Sequence, residues 1–453
     1  MEPAKAGRNG PQALRCEIMP VAVRKLLEGR LRWALILWVF VMSAIAFLDR
    51  VNISIAGQAI AREYKLSDVR LGGVFSAFLL GYALFQAPGG RLADRFGPRR
   101  IIAIGVVWWG VFTALTALVP AGFGLALALL MAARFLLGTG EAVMFPASNR
   151  LVANWIPSAE RGIANGVIFA GVGAGAGITP PLITYILVHW GWRWSFYASA
   201  LIGVGAGVVW VLLARDTPRE HPWIGQREVA HIEAGLPVAV REVEAREVPP
   251  WRNIVRNKNV LALTLSYFTY GYVAYIFFTW FFTYLNRVRG LDLKASAIYS
   301  MCPFLAMATC SPLGGFAADI LVRRYGRRVG RCGVAAFGIA LTAVFLALAT
   351  QVRSAQLASI VLAGGAGALY LSQSAFWAVT ADIAGPWAGF TSGLMNTGNQ
   401  IGGAVTALST PWIAIHFGWT ASFLVAAALA AAGAAAWLLV DPDARIGPTA
   451  RVG

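Results

Sequence analysis

The 453-residue sequence predicts an all-α membrane protein, with twelve transmembrane helices in two six-helix repeats and both termini on the cytoplasmic side. Three observations predict it. Only 13% of residues are charged and 58% are apolar, whereas a soluble domain carries about 25% charged residues to cover its wet surface. The apolar residues gather into twelve segments of about 20 residues, the length that crosses a hydrocarbon core of about 30 Å. Basic residues are also one-sided. About 28 Lys and Arg fall in segments on the inner side and about 8 on the outer side, which fixes an N-inside orientation.

In chain order the segments run at 33–57, 71–91, 101–119, 122–146, 162–188 and 193–214, then at 260–285, 295–321, 332–350, 356–381, 388–415 and 419–440. They define a tail (1–32), a first six-helix bundle (33–214), a linker (215–258), a second bundle (259–440) and a closing tail (441–453). The tails and linker are expected in the cytoplasm, the linker as a charged tether. Outer connections are mostly tight, as at Val119-Pro120-Ala121-Gly122. The first 32 residues are polar and basic, without the short apolar run of a cleaved signal.

The formal net charge of +17 is topological rather than a nucleic-acid footprint, because it sits in loops on one side. Cys16, Cys302, Cys310 and Cys332 are scattered, so neither a disulfide framework nor a zinc site is expected. The sequence contains no HExxH, GxSxG or phosphate loop, so no enzyme and no cofactor are predicted.

The two halves repeat at an offset of about 225 residues. Gly90-Arg91-Leu92-Ala93-Asp94 follows the second segment, and Gly315-Phe316-Ala317-Ala318-Asp319 follows the eighth. Each leads to a glycine and an arginine pair, Gly97-Pro98-Arg99-Arg100 and Gly326-Arg327-Arg328. Parallel repeats about an axis along the membrane normal describe a rocking transporter. In the first copy Gly90 permits close helix approach, Asp94 suits the positive end of a facing helix, expected to be the eleventh, and Arg95, Arg99 and Arg100 are expected to pair with carboxylates on the inner surface.

Four ionisable residues interrupt apolar segments of the first half: Asp49 and Arg50 in the first, Arg134 and Glu141 in the fourth. Each costs about 2.5–3.5 kcal/mol at a helix centre, so they must pair or face water. Their formal charges sum to zero. Arg134 and Glu141 lie two turns apart on one face, as Asp49 lies with Asn52 and Arg50 with Ser54. One reading is a structural ion-pair network. The other is a coupled site, because a proton and a guanidinium compete for one carboxylate, and an anion that draws the arginine away lets the proton bind. Arginine suits the anion role through its planar, permanently charged fork. Positions equivalent in the second half are uncharged. That half offers aromatic and neutral polar groups instead, among them Tyr270, Tyr275, Thr279, Trp280, Ser372, Ser374, Asn396, Asn399 and Gln400.

Residues 90–100, G-x-L-x-D-R-x-G-x-R-R, resemble the loop signature of the major facilitator superfamily. The string Asp49-Arg50-Val51-Asn52-Ile53-Ser54 is similar to that of its anion:cation symporter family. Supporting matches include Trp155-Ile156-Pro157, Glu160-Arg161-Gly162, Gly191-Trp192-Arg193-Trp194, Pro218-Arg219-Glu220-His221-Pro222 and Asn396 with Gly398-Asn399. By that resemblance Asp49 and Glu141 are the protonatable carboxylates, Arg50 contacts a substrate carboxylate, Arg134 partners Glu141, and Tyr82 lies near the substrate. Periodicity alone would make Tyr82 packing or lipid-facing. The gating motif comprises Gly90, Asp94, Arg95, Gly97 and Arg99. Two departures stand out. Thr279-Trp280-Phe281-Phe282 lacks a proline that many members have, which questions a bend there. Phe169-Ala170-Gly171 replaces an amide usual in sugar-acid carriers, which favours an aromatic or shorter carboxylate.

The expected function is import of a small organic anion together with protons, by alternating access, in the inner membrane and as a monomer. An exchanger, a sodium-coupled carrier and a non-transporting sensor are the alternatives. Sodium would need clustered oxygen ligands, which the sequence does not show.

Overall fold

The computed structural model describes residues 29–66, 68–236, 251–281 and 284–446. Most of both tails and the second half of the linker lie outside these bounds. The first half contains α1 (Leu31–Tyr64), α2 (Asp68–Phe96), α3 (Pro98–Leu118), α4 (Ala126–Glu141) continued by α5 (Met144–Trp155), α6 (Arg161–Trp190) and α7 (Trp192–Leu213). Two short helices, α8 (Gln226–Gly235) and α9 (Trp251–Arg256), occupy the linker. The second half contains α10 (Lys258–Thr279), α11 (Leu293–Arg327), α12 (Val334–Ala349), α13 (Ala355–Ala384) and α14 (Ala388–Ala436).

Among the described residues nine stretches are long and apolar enough to cross a membrane. Two of them are double. Ile298–Ala349 is broken by the left-handed Gly326 (φ 83°), and Ala355–Thr410 by Gly385 (φ 51°). The 29-residue α2 is long enough to cross as well, with Arg91, Asp94 and Arg95 gathered at its end. Gly418, at φ 83°, divides α14 into the eleventh and twelfth crossings. These breaks yield six long helices in each half. Leu37, Leu201, Leu408 and Ile415 are 58–80% exposed, as outward apolar faces must be where lipid rather than water is the solvent.

The fourth crossing continues to Trp155, past the expected end at 146. Its extension carries the polar Ser148, Asn149 and Arg150, all buried: Ser148 donates to the Met144 carbonyl of its own helix at 2.7 Å, and the other two meet partners in the other half. Arg150 Nη1 donates to the Gly385 carbonyl at 2.9 Å, and Asn149 donates to Thr380 at 3.1 Å. The seventh crossing ends at Trp280 (φ −114°, ψ −14°) although the proline is missing there. Phe282 lies outside the described residues.

The halves meet tightly at their cytoplasmic ends, and the two copies of the repeat close them in the same way. Asp94 accepts hydrogen bonds from the backbone N–H groups of Gly389 and Phe390 at 2.9 and 2.8 Å. Asp319 accepts from those of Gly162 and Ile163 at 3.0 and 2.7 Å. Each carboxylate thereby satisfies orphan donors in the first turn of α14 or α6 and faces the positive end of that helix. Arg161–Asp382 at 2.5 Å and Arg331–Asp319 at 2.6 Å add buried ion pairs beside these caps. Such pairs act mainly as a registry device, since removing one partner strands a buried charge.

Close approach depends on glycine. A Cβ on Gly90 would collide with the Gly389 backbone, and one on Gly315 with the Gly162 backbone. Further along the α6–α11 interface a Cβ on Gly173 still meets Phe304 and Ala308, but on Gly177 it would meet nothing within 4 Å. The halves are therefore shut inside and part towards the outside. Gly90→Val is expected to pry the inner face open. In an Ala153→Cys background, where residue 153 is buried against Ala381 and Ala388, thiol labelling from the cytoplasmic side should speed up at least threefold. Unchanged labelling would contradict the role given to Gly90.

Over residues 215–236 the linker is more than a tether. Glu228 of α8 is buried and accepts from the backbone N–H groups of Leu31 and Arg32 at 3.2 and 3.1 Å, capping α1. Arg32 also reaches Glu160 at 3.1 Å, and His231 meets the other Glu160 oxygen at 2.9 Å. Burial opposes ionisation of Glu160, but the hydrogen bonds from His231 and Arg32 outweigh it and hold the carboxyl below its usual range. Asp216 accepts from the Arg99 backbone N–H at 2.8 Å, tying the linker to the turn at Gly97 (φ 87°).

Candidate functional site

A cavity of about 200 Å³ lies between the halves, lined from both. Of the residues singled out in the sequence, Arg50, Arg134, Tyr82, Tyr270, Tyr275, Thr279, Asn396, Asn399 and Gln400 line it. Asp49 and Glu141 lie behind its wall, 2% and 0% exposed. Trp280, Ser372 and Ser374 are not among its lining residues. Gln373, between the two serines in sequence, is. One residue is a 100° turn of a helix, and the serines were the more conspicuous polar letters. Ser372 is satisfied by the Leu369 carbonyl at 2.6 Å.

Arg50 sits where α1 faces α4. Its Nη2 donates to Glu141 Oε1 at 2.5 Å. The guanidinium carbon lies 4.4 Å from the centroid of the Tyr82 ring and 4.5 Å from that of Phe47, so aromatic faces hold a cation that lipid would not. Phe78 is shared, 5.3 Å from Arg50 and 4.9 Å from Arg134. Glu141 closes α4 just before the break at Ala142–Val143, which places its carboxylate beneath Arg50. The resemblance made Arg134 the partner of Glu141. The structure gives the direct ion pair to Arg50 instead, because the arginine of the neighbouring helix reaches the carboxylate more closely than one two turns away. Arg134 remains within electrostatic reach of Glu141 and Asp49.

Several polar atoms here lack a hydrogen-bond partner among the described residues: Arg50 Nε, Arg134 Nε and Nη1, Glu141 Oε2 and both oxygens of Asp49. Buried polar groups are ordinarily satisfied, and a cluster of exceptions in one place calls for an explanation such as a ligand or a proton. Asn52, on the Asp49 face, is held by Ser195 at 2.8 Å and Ser199 at 3.2 Å, fastening α1 to α7. The side chain of Ser54 lies outside the described set.

The second half contributes an amide chain. Asn399 donates to Asn396 at 3.4 Å, and Asn396 donates across the halves to Gln86 at 3.0 Å. Tyr275 donates to Gln400 at 2.7 Å, and Gln373 donates to the Tyr267 hydroxyl at 2.8 Å. Sequence reasoning did not single out Tyr267, Gln373 or Trp377. A tyrosine or tryptophan in an apolar helix looks like packing, and only the lone amide Gln373 carried a signal.

The residues of the 90–100 motif lie apart from the cavity, at the cytoplasmic closure. Gly90 and Asp94 touch α14 as described. Arg99 sends its guanidinium to the Val211 carbonyl at 2.8 Å rather than to a carboxylate, since Asp216 is occupied by the backbone N–H of Arg99. Arg95 lies over the Phe96 ring at 5.1 Å.

Two pseudo-symmetric helix bundles closed at one end around a charged, aromatic cavity define a membrane transporter, not an enzyme. The chain belongs to the Major Facilitator Superfamily, whose sequence profile matches residues 39–407 and, in a second overlapping match, 307–453. It is 34% identical over 403 residues to a probable sulfoacetate transporter of Cupriavidus necator, covering 88% of this chain and 92% of that one. It is 30% identical over 438 residues to a probable galactarate/D-glucarate transporter of Bacillus subtilis, covering 93% of each. These relatives place it with the anion:cation symporters. The structure of the proton:xylose symporter XylE superposes with a TM-score of 0.70 at 16% identity, covering 89% of this chain and 94% of that one, a likeness of fold alone.

Proposed function

We propose that this protein imports a small organic anion in symport with protons, by alternating access, as a monomer in the cytoplasmic membrane. The single observation that carries the reading is the Arg50–Glu141 ion pair at the wall of an inter-half cavity. An anion entering that cavity competes with Glu141 for the guanidinium. A carboxylate that loses its arginine in a low-dielectric site takes a proton, so anion and proton bind together. Asp49, in electrostatic reach of Glu141, is the second proton carrier. The named substrates of both relatives, sulfoacetate and galactarate or glucarate, are organic anions, which supports the class.

Coupling is also what the energetics require. Bringing one negative charge into a cell with a negative interior costs about 2.3 kcal/mol per 100 mV. One proton cancels that cost for a monovalent anion, and a second adds driving force. The test is uptake into proteoliposomes from a panel of radiolabelled organic acids, with and without an inward proton gradient. Gradient-stimulated accumulation of at least one acid is expected. Counterflow with no gradient effect would make the protein an exchanger, and absence of counterflow for every acid would make it a sensor.

A further inference from the structure

We infer that the anion is an aromatic carboxylate with a single ring. The inference rests on the anion reading of Arg50 and deepens it. It starts from the cavity size, about 200 Å³. An apolar protein cavity of about 150 Å³ accepts one benzene molecule, so one six-membered ring and a carboxylate fill this space.

The lining matches such a body. Twelve of its 24 residues are aromatic, contributed by both halves. Phe145 and Phe169 stack at 5.0 Å with 14° between their planes, and Trp377 from the other half lies 5.0 Å from Phe169. Phe278 approaches Phe47 across the halves at 5.9 Å. Flat rings contributed from both halves favour a flat guest that meets them stacked or edge to face.

The polar groups argue the same way. Asn396, Asn399, Gln400 and Gln373 each bond to one another, to Gln86 or to a tyrosine hydroxyl, which leaves Gln373 Oε1, Asn399 Oδ1 and the Tyr270 hydroxyl as the lining neutral groups without a partner among the described residues. These can meet one or two polar substituents on a ring, but a sugar acid with four hydroxyls would have to break the existing bonds or leave hydroxyls unpaired. An aromatic carboxylate asks only for donors to its two oxygens. Arg50 Nε and Arg134 Nε and Nη1, buried without partners among the described residues and belonging to side chains that line the cavity, are such donors.

The test compares four sodium salts for binding to the purified full-length protein by calorimetry: benzoate, cyclohexanecarboxylate, glucarate and acetate. Cyclohexanecarboxylate keeps the charge and nearly the size but loses flatness and the π-system. Benzoate is expected to bind at least tenfold tighter than each of the other three, and Arg50→Lys should weaken it. If glucarate or cyclohexanecarboxylate binds within tenfold of benzoate, or tighter, and still depends on Arg50, the aromatic assignment is overturned while the anion site stands. If no salt shows Arg50-dependent binding, the anion reading falls and this inference with it.

Discussion

Glu141→Gln is expected to abolish uptake driven by a proton gradient while leaving exchange of internal for external anion within about threefold of the wild-type rate. Glutamine keeps the shape of a protonated glutamate and takes no proton. In the wild type, Arg50 is bound to Glu141 at 2.5 Å whenever no anion competes. The variant removes that competition, so the substrate meets an arginine already released. Substrate affinity should therefore rise, and should lose its dependence on pH. The charge left on Arg50 is not stranded in hydrocarbon. It lines the cavity and keeps the faces of Tyr82 and Phe47 within 4.5 Å, which moderates the loss of about 3–5 kcal/mol usual when a buried pair is broken. Reconstituted transport with imposed pH gradients measures both quantities. Acid-stimulated net accumulation by the variant would exclude Glu141 as the coupling group.

Arg50→Lys should be almost as damaging by a different route. The positive charge survives, but the planar fork does not. A lysine ammonium presents a compact point charge that cannot hold a carboxylate through two parallel hydrogen bonds, and it stacks less well between Phe47 and Tyr82. Loss of a two-bond carboxylate contact is expected to raise Kd about 10- to 100-fold, or about 1.4–2.7 kcal/mol. The binding assay reads this directly. An unchanged Kd would move the anion site elsewhere, with Arg134 the next residue to test.

The residues behind these two predictions were legible in the sequence for a plain reason. Asp49, Arg50, Arg134 and Glu141 are charges in segments where lipid makes charge expensive, so they stand out against an apolar background. The gate was half legible. Asp94 and Gly90 stood out because their motif repeats at Asp319 and Gly315. Arg161, Arg331 and Asp382 did not, because charges at helix ends are ordinary and only folding shows that these three are buried across the interface. The cavity wall was least legible. Phe145, Phe169, Tyr267 and Trp377 look the same whether they face lipid, core or ligand. The serines 372 and 374 were preferred to Gln373 because the rotation of α13 about its axis is set by packing rather than by any local pattern. Glu228 was hidden for a similar reason, since its partners, the first backbone groups of α1, lie almost 200 residues away.

The central claim is that anion and proton meet through competition for Arg50, and proton uptake on binding tests it most directly. Calorimetric titration of the tightest-binding acid, repeated in buffers of differing ionisation enthalpy near neutral pH, gives the number of protons taken up per anion bound. Uptake of at least one proton per anion in the wild type, lower by about one in Glu141→Gln with binding retained, is the predicted result. Anion binding that draws in no proton, or draws the same number after the glutamate is replaced, would contradict it.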